Sequence, residues 1–128
     1  MKAILVIEDE KAMRLLVKEF LELLGYRVLT AEDGKTAIEL GAPEAISMAF
    51  VDINLPDMSG IEVMERLRSS GVESPFVIVS ANLRESFSEK ITGLKVNEVL
   101  EKPVDLTAIE TLVKRLIGDA STEPASET

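Results

Sequence analysis

The chain contains no cysteine, no histidine and no tryptophan. Without cysteine there are no disulfides, no thiolate nucleophile and no cysteine-based zinc site. Without histidine the commonest general base and transition-metal ligand are missing, and the chain cannot itself carry a phosphohistidine. Aromatic residues make up only 4% of the sequence, so the core is expected to consist of Leu, Ile, Val, Ala and Met. No apolar run approaches the roughly 18 residues of a membrane span. The apolar start of the chain meets acids by Glu8, too early for a secretory signal, so a cytoplasmic location is expected. Basic residues are also in deficit, 14 against 23 acidic ones, for a net charge of −9. Such a chain repels polyanions, which argues against direct nucleic-acid binding.

What is present is carboxylate, hydroxyl and lysine chemistry on an aliphatic scaffold. The 46% hydrophobic content is that of a folded domain, and 128 residues suit one domain rather than two. Hard oxygen ligands of this kind suit Mg²⁺, Mn²⁺ or Ca²⁺.

Hydrophobic periodicity alternates along the chain. Ala3 to Ile7 reads as a strand buried on both faces, and residues 11 to 24 carry a helical rhythm through Met13, Leu16, Val17, Phe20, Leu21 and Leu24. Gly25 is expected to close that helix as its C′ residue. Tyr26 to Ala31 is a second strand, Asp33-Gly34 a turn signal, and Lys35 to Leu40 a short helix stopped by Gly41 and Pro43. Ser47 to Ile53 is a third strand, Asn54 to Gly60 a loop and Ile61 to Ser70 a helix. A fourth strand at Phe76 to Val79, a weaker helix at 83–91, a fifth strand at Val96 to Leu100 and a helix at Leu106 to Ile117 follow. Residues 119–128 read as a flexible acidic tail or the start of a linker, leaving 1–118 as the domain. Five strand–helix units predict an α/β fold, an open, doubly wound parallel sheet with helices on both faces. Ligands of such sheets sit beyond the carboxyl ends of the strands.

Those ends are polar. The first strand delivers Glu8, Asp9 and Glu10, the third Asp52, the fourth Ser80-Ala81-Asn82 and the fifth Glu101-Lys102-Pro103. Singly, each has an ordinary reading: Glu8 and Asp9 as helix caps, Ser80 as a local cap, Lys102 as a solvated charge. Glu10 is expected to be only a cap, and Gly60 a turn residue needing positive φ. Met13, Met48, Met58 and Met64 read as packing or surface residues. Jointly, clustered carboxylates need a compensating cation, and acids, cation and lysine form a cradle for a phosphoryl group. A carboxylate facing that cradle can become an aspartyl phosphate.

The segments Val6 to Asp9, Val51 to Gly60, Ile78 to Ala81 and Leu100 to Pro103 resemble the receiver domain of two-component response regulators, the CheY-like family. The likeness covers residues 2 to about 118. It implies a flavodoxin-like strand order 2-1-3-4-5, with Asp52 as phosphoacceptor. It also implies that Glu8, Asp9, Asp52 and the Asn54 backbone carbonyl hold Mg²⁺, with Mn²⁺ as a substitute. Lys102 then pairs with the phosphoryl group ahead of a cis peptide to Pro103, and Ser80 supplies the switch hydroxyl. The implied donor is a sensor histidine kinase or a His phosphotransfer protein, and the implied output is a protein target. The chain would be a self-phosphorylating and self-dephosphorylating acceptor rather than a conventional enzyme. It would be a monomer or a weak phosphorylation-dependent dimer through the fourth helix, fifth strand and fifth helix. Val99 stands where the family usually carries Tyr or Phe, which puts the relay of the switch in doubt, and Val104 stands where the family often carries Phe. A haloacid-dehalogenase-type enzyme would need its nucleophile on the first strand, and a flavodoxin-type cofactor binder would need a phosphate loop after it. A pseudo-receiver that never takes phosphate is the remaining alternative.

Overall fold

The computed structural model describes residues 2–41, 45–82 and 89–120. Its elements run β1 (Ala3–Ile7), α1 (Lys11–Leu23), β2 (Arg27–Ala31), α2 (Gly34–Leu40), β3 (Met48–Asp52), α3 (Gly60–Ser69), β4 (Phe76–Ser80), α4 (Glu89–Thr92), β5 (Val96–Glu101) and α5 (Leu106–Ile117). All five strands are parallel, in the order β2-β1-β3-β4-β5. This is the expected α/β architecture. Residues 83–88 of the expected weak helix, Pro43 and positions 121–128 of the expected tail lie outside the described residues.

The alternation of side chains along each strand divides the core into two layers. Leu5, Ile7, Val51 and Ile78 face one way and pack with Ala37, Val63, Met64 and Leu67 of α2 and α3. Ile4, Val6, Phe50, Val77 and Val79 face the other way, toward Val17 and Leu21 of α1 and Ile109, Leu112 and Val113 of α5. The central strands β1, β3 and β4 are therefore buried throughout, as their apolar runs require, and the polar residues Asp52 and Ser80 that end β3 and β4 are buried with them. Edge strands β2 and β5 are only part-buried.

The core is not purely aliphatic, contrary to expectation. Phe76 is fully buried, and Phe50 and Tyr26 are 3% exposed. A low aromatic count limits how many rings exist, but a large apolar ring still gains most from burial. The Arg68 guanidinium lies 3.7 Å over the Phe76 ring, while donating to the carbonyls of Leu94, Val72 and Ser74.

Gly25 follows the α1 cap Leu24 with φ of 99°, as predicted. Gly60 is different: it is not among the glycines with positive φ, which are Gly25, Gly71 and Gly118. Its constraint is space. A Cβ there would stand 2.2 Å from the Asp52 carbonyl oxygen and 3.0 Å from the Ile53 Cα. The start of α3 thus packs directly on the end of β3, which carries the central acid.

Candidate phosphoacceptor site

The strand register brings the expected residues together. Ile7 is paired with Val51 and Asp52 with Val79, so Glu8, Asp52 and Ser80 emerge side by side at one edge of the sheet. The Lys102 N–H donates to the Ser80 carbonyl at 2.9 Å, which seats Lys102 beside them, and the Lys102–Pro103 peptide is cis. Glu8, Asp52 and Ser80 are buried, whereas Asp9 and Asn54 are exposed.

Lys102 Nζ lies 3.0 Å from Asp52 Oδ2 and 3.0 Å from Glu8 Oε1. Carboxylate oxygens of Glu8, Asp9 and Asp52 lie within 4.8 Å of one another. Three carboxylates against one ammonium leave two formal negative charges at one point. Burial pushes Glu8 up to about 7 from 4.5; the Glu10 N–H and Lys102 pull it down, while the Asp52 charge adds to the rise. Its burial is partly over a small cavity lined by Met13, Val17, Phe50 and Val104. Burial works to lower the Lys102 ammonium, but its bonds and attraction to Asp52 and Glu8 outweigh this and hold it above the usual lysine value. The donor set is all hard oxygen and under-compensated by about the charge of a divalent ion, so these residues fit Mg²⁺.

Asn54 donates its N–H to Asp52 Oδ1 at 3.0 Å. The Ser80 hydroxyl donates to the Asn82 carbonyl at 2.7 Å and accepts the Asn82 N–H at 3.1 Å. It therefore serves the backbone just after β4, the local-cap reading of a strand-end serine. Glu10 does not act as expected. It occupies the α1 N-cap position with no side-chain cap bond, and its N–H donates instead to Glu8 Oε2 at 3.1 Å. The buried Glu8 carboxylate thus holds the backbone at the entry to α1. Val99 and Val104 pack against opposite core layers.

Two residues that sequence reasoning passed over support the site. Arg14 Nη1 donates to the backbone carbonyls of Glu8 at 2.9 Å and Asp9 at 3.2 Å, tying the acidic turn to the first turn of α1. Asp57, read only as a loop residue, accepts the N–H groups of Gly34 at 2.8 Å and Lys35 at 2.9 Å. A basic residue one turn into a helix is a weak signal for the first; nothing in the sequence singles out the second.

Comparison with known proteins agrees with this geometry. The family described as "Response regulator receiver domain" matches residues 4–114. Response regulator MprA of Mycolicibacterium vanbaalenii is 35% identical over 115 residues, 88% of this chain and 48% of that protein. The chain spans about half the length of the curated relatives it matches. A CheY-like response regulator receiver domain from Methylobacillus flagellatus superposes with a TM-score of 0.80 at 30% identity, covering 91% of this chain and 98% of that one. Response regulator protein TrrA from Thermotoga maritima, solved in complex with Mg(2+)-BeF, gives a TM-score of 0.79 at 28% identity, covering 91% of this chain and all of that one. With a matching fold and a family match over most of its length, the chain belongs to the response regulator receiver domains of two-component signalling.

Proposed function

We propose that Asp52 accepts a phosphoryl group from the phosphohistidine of a sensor histidine kinase or a His phosphotransfer protein, and that this switches binding to a downstream protein. The observation that carries the reading is the contact of Lys102 with both Asp52 and Glu8 at 3.0 Å, at the one sheet edge where Asp9 joins them. A carboxylate oxygen of Asp52 attacks phosphorus, the P–N bond to the donor imidazole breaks, and the imidazole nitrogen leaves with its electron pair and is protonated. Lys102 passes from the carboxylates to a phosphoryl oxygen and offsets its charge. The Asn54 N–H holds Asp52 in orientation, and the Ser80 hydroxyl, now on Asn82, is the donor able to turn toward the new group. Glu8, Asp9, Asp52 and the Asn54 carbonyl would hold Mg²⁺, or Mn²⁺ in its place, and the ion would neutralise charge between the acids and the phosphoryl oxygens. The same site hydrolyses its own acyl phosphate, so the chain turns over as a signal rather than as a conventional enzyme. The likeness to TrrA in complex with Mg(2+)-BeF supports the metal reading. No helix among the described residues is long and apolar enough to cross a membrane, in keeping with a cytoplasmic role.

Incubation with acetyl phosphate and Mg²⁺ tests this. The wild type is expected to gain one phosphoryl group by intact mass, and Asp52→Asn to gain none. No gain in the wild type overturns the proposal in favour of a phosphorylation-independent interaction module.

A further inference from the structure

The seven-residue helix α2 has two acidic caps where one would do. Asp33, its own N-cap, accepts the Thr36 N–H at 2.8 Å. The other two amides of that turn, Gly34 and Lys35, go to the two oxygens of Asp57, 23 and 22 residues away in the loop between β3 and α3. The fit is close as well as polar. A Cβ on Gly34 would meet Met58 Cγ at 2.4 Å and Val63 Cγ2 at 3.0 Å, so the helix start lies directly on that loop.

The loop is short and closed upon itself. Gly60 donates to the Ile53 carbonyl at 2.8 Å, and Asn54 and Ser59 form an antiparallel bridge. Asp57 sits inside this closure, between the bridged residues. Whatever holds Asp57 therefore also holds Asn54, which bonds to Asp52.

We propose that Asp57 is a positioning residue for the phosphoacceptor site: gripped by the first two amides of α2, it fixes the β3–α3 loop and keeps Asn54 in place over Asp52. The inference rests on the function proposed above. The grip favours the ionised carboxylate, and the Gly34 and Lys35 N–H groups hold Asp57 below the usual aspartate range. A side chain that orients a metal-binding backbone group governs affinity without touching the ion.

The test uses the full chain, with Mg²⁺ titrated by calorimetry and amide exchange followed by NMR. In Asp57→Ala the Mg²⁺ affinity is expected to fall about tenfold, and the Asn54 amide to exchange faster along with those of Gly34 and Lys35. Asp57→Asn keeps one acceptor oxygen and is expected to recover part of the loss. Gly34→Ala, which forces Met58 aside from the helix, is expected to weaken Mg²⁺ in the same direction. A role confined to capping α2 would expose only the Gly34 and Lys35 amides and lower Tm; an unchanged Mg²⁺ Kd and Asn54 exchange rate in Asp57→Ala overturn the proposal while leaving the phosphoacceptor reading intact. A wild type that binds no Mg²⁺ overturns both.

Discussion

Replacing Lys102 with methionine removes the ammonium that touches both buried acids while keeping much of the stem. Glu8 and Asp52 are each 3% exposed. Removing one partner of a fully buried pair costs about 3–5 kcal/mol. The Lys102 side chain is 24% exposed and water shares its task, so about 2 kcal/mol is expected. The loss should depend on pH in a definite sense. Glu8 has a folded pKa of about 7 against 4.5 for the free carboxyl. A raised acid takes stability away as pH climbs from the unfolded to the folded value, and takes no more above it. In the wild type that decline ends near pH 7. Without the ammonium the folded value rises further, so the decline continues. The variant's deficit should be smaller near pH 6, where Glu8 keeps its proton, and should reach the full value near pH 9, a fall in Tm of about 6 °C. Thermal unfolding by circular dichroism in EDTA at both pH values measures this. A deficit equal or larger near pH 6 would refute the claim that Lys102 acts by compensating Glu8 and Asp52.

Other outcomes follow from the same geometry. Mg²⁺ and the Glu8 proton compete, so the Mg²⁺-induced rise in Tm should be larger near pH 8 than near pH 6; a rise that shrinks with pH would contradict the fit of Glu8 to the ion. Gly60→Ala drives a methyl into the backbone of Asp52 and should cost about 3 kcal/mol by chemical denaturation. Gly93→Ala meets nothing within 4 Å and should stay within about 0.5 kcal/mol of wild type. Equal losses in the two would show that the close approach at Gly60 is not the constraint. Asp57 should titrate below an ordinary aspartate by NMR, and its contribution to stability, present above the unfolded pKa, should be lost as pH falls through the lower folded value.

The strands were the most legible part of the sequence. Ala3 to Ile7 and Phe76 to Val79 could only be buried on both faces, and once the βα alternation was read, the strand ends with Glu8, Asp52, Ser80 and Lys102 followed. The cluster itself was legible because it needs four separate strand ends to agree, and chance rarely arranges that. What the sequence concealed depends on third-dimension proximity. Gly60 looks like a turn glycine, yet its constraint is an Asp52 carbonyl 2.2 Å from where its Cβ would be, and no local pattern encodes that distance. Glu10 has the position of a cap, yet its side chain accepts no helix amide, and its own N–H is taken by the Glu8 carboxylate. Asp57 resembles any loop acid because its partners belong to a helix more than twenty residues earlier. The low aromatic count pointed to an aliphatic core, yet the strands read at Ser47 to Ile53 and Phe76 to Val79 carry Phe50 and Phe76 into it.

The central claim is that Asp52 is the residue phosphorylated. Mapping the modification by tandem mass spectrometry after reaction with acetyl phosphate and Mg²⁺ tests it most directly. The account predicts a single acyl phosphate on the peptide carrying Asp52, labile in alkali and missing when EDTA replaces Mg²⁺. A phosphate on Asp9, Asp57 or a hydroxyl, with Asp52 unmodified, would contradict it.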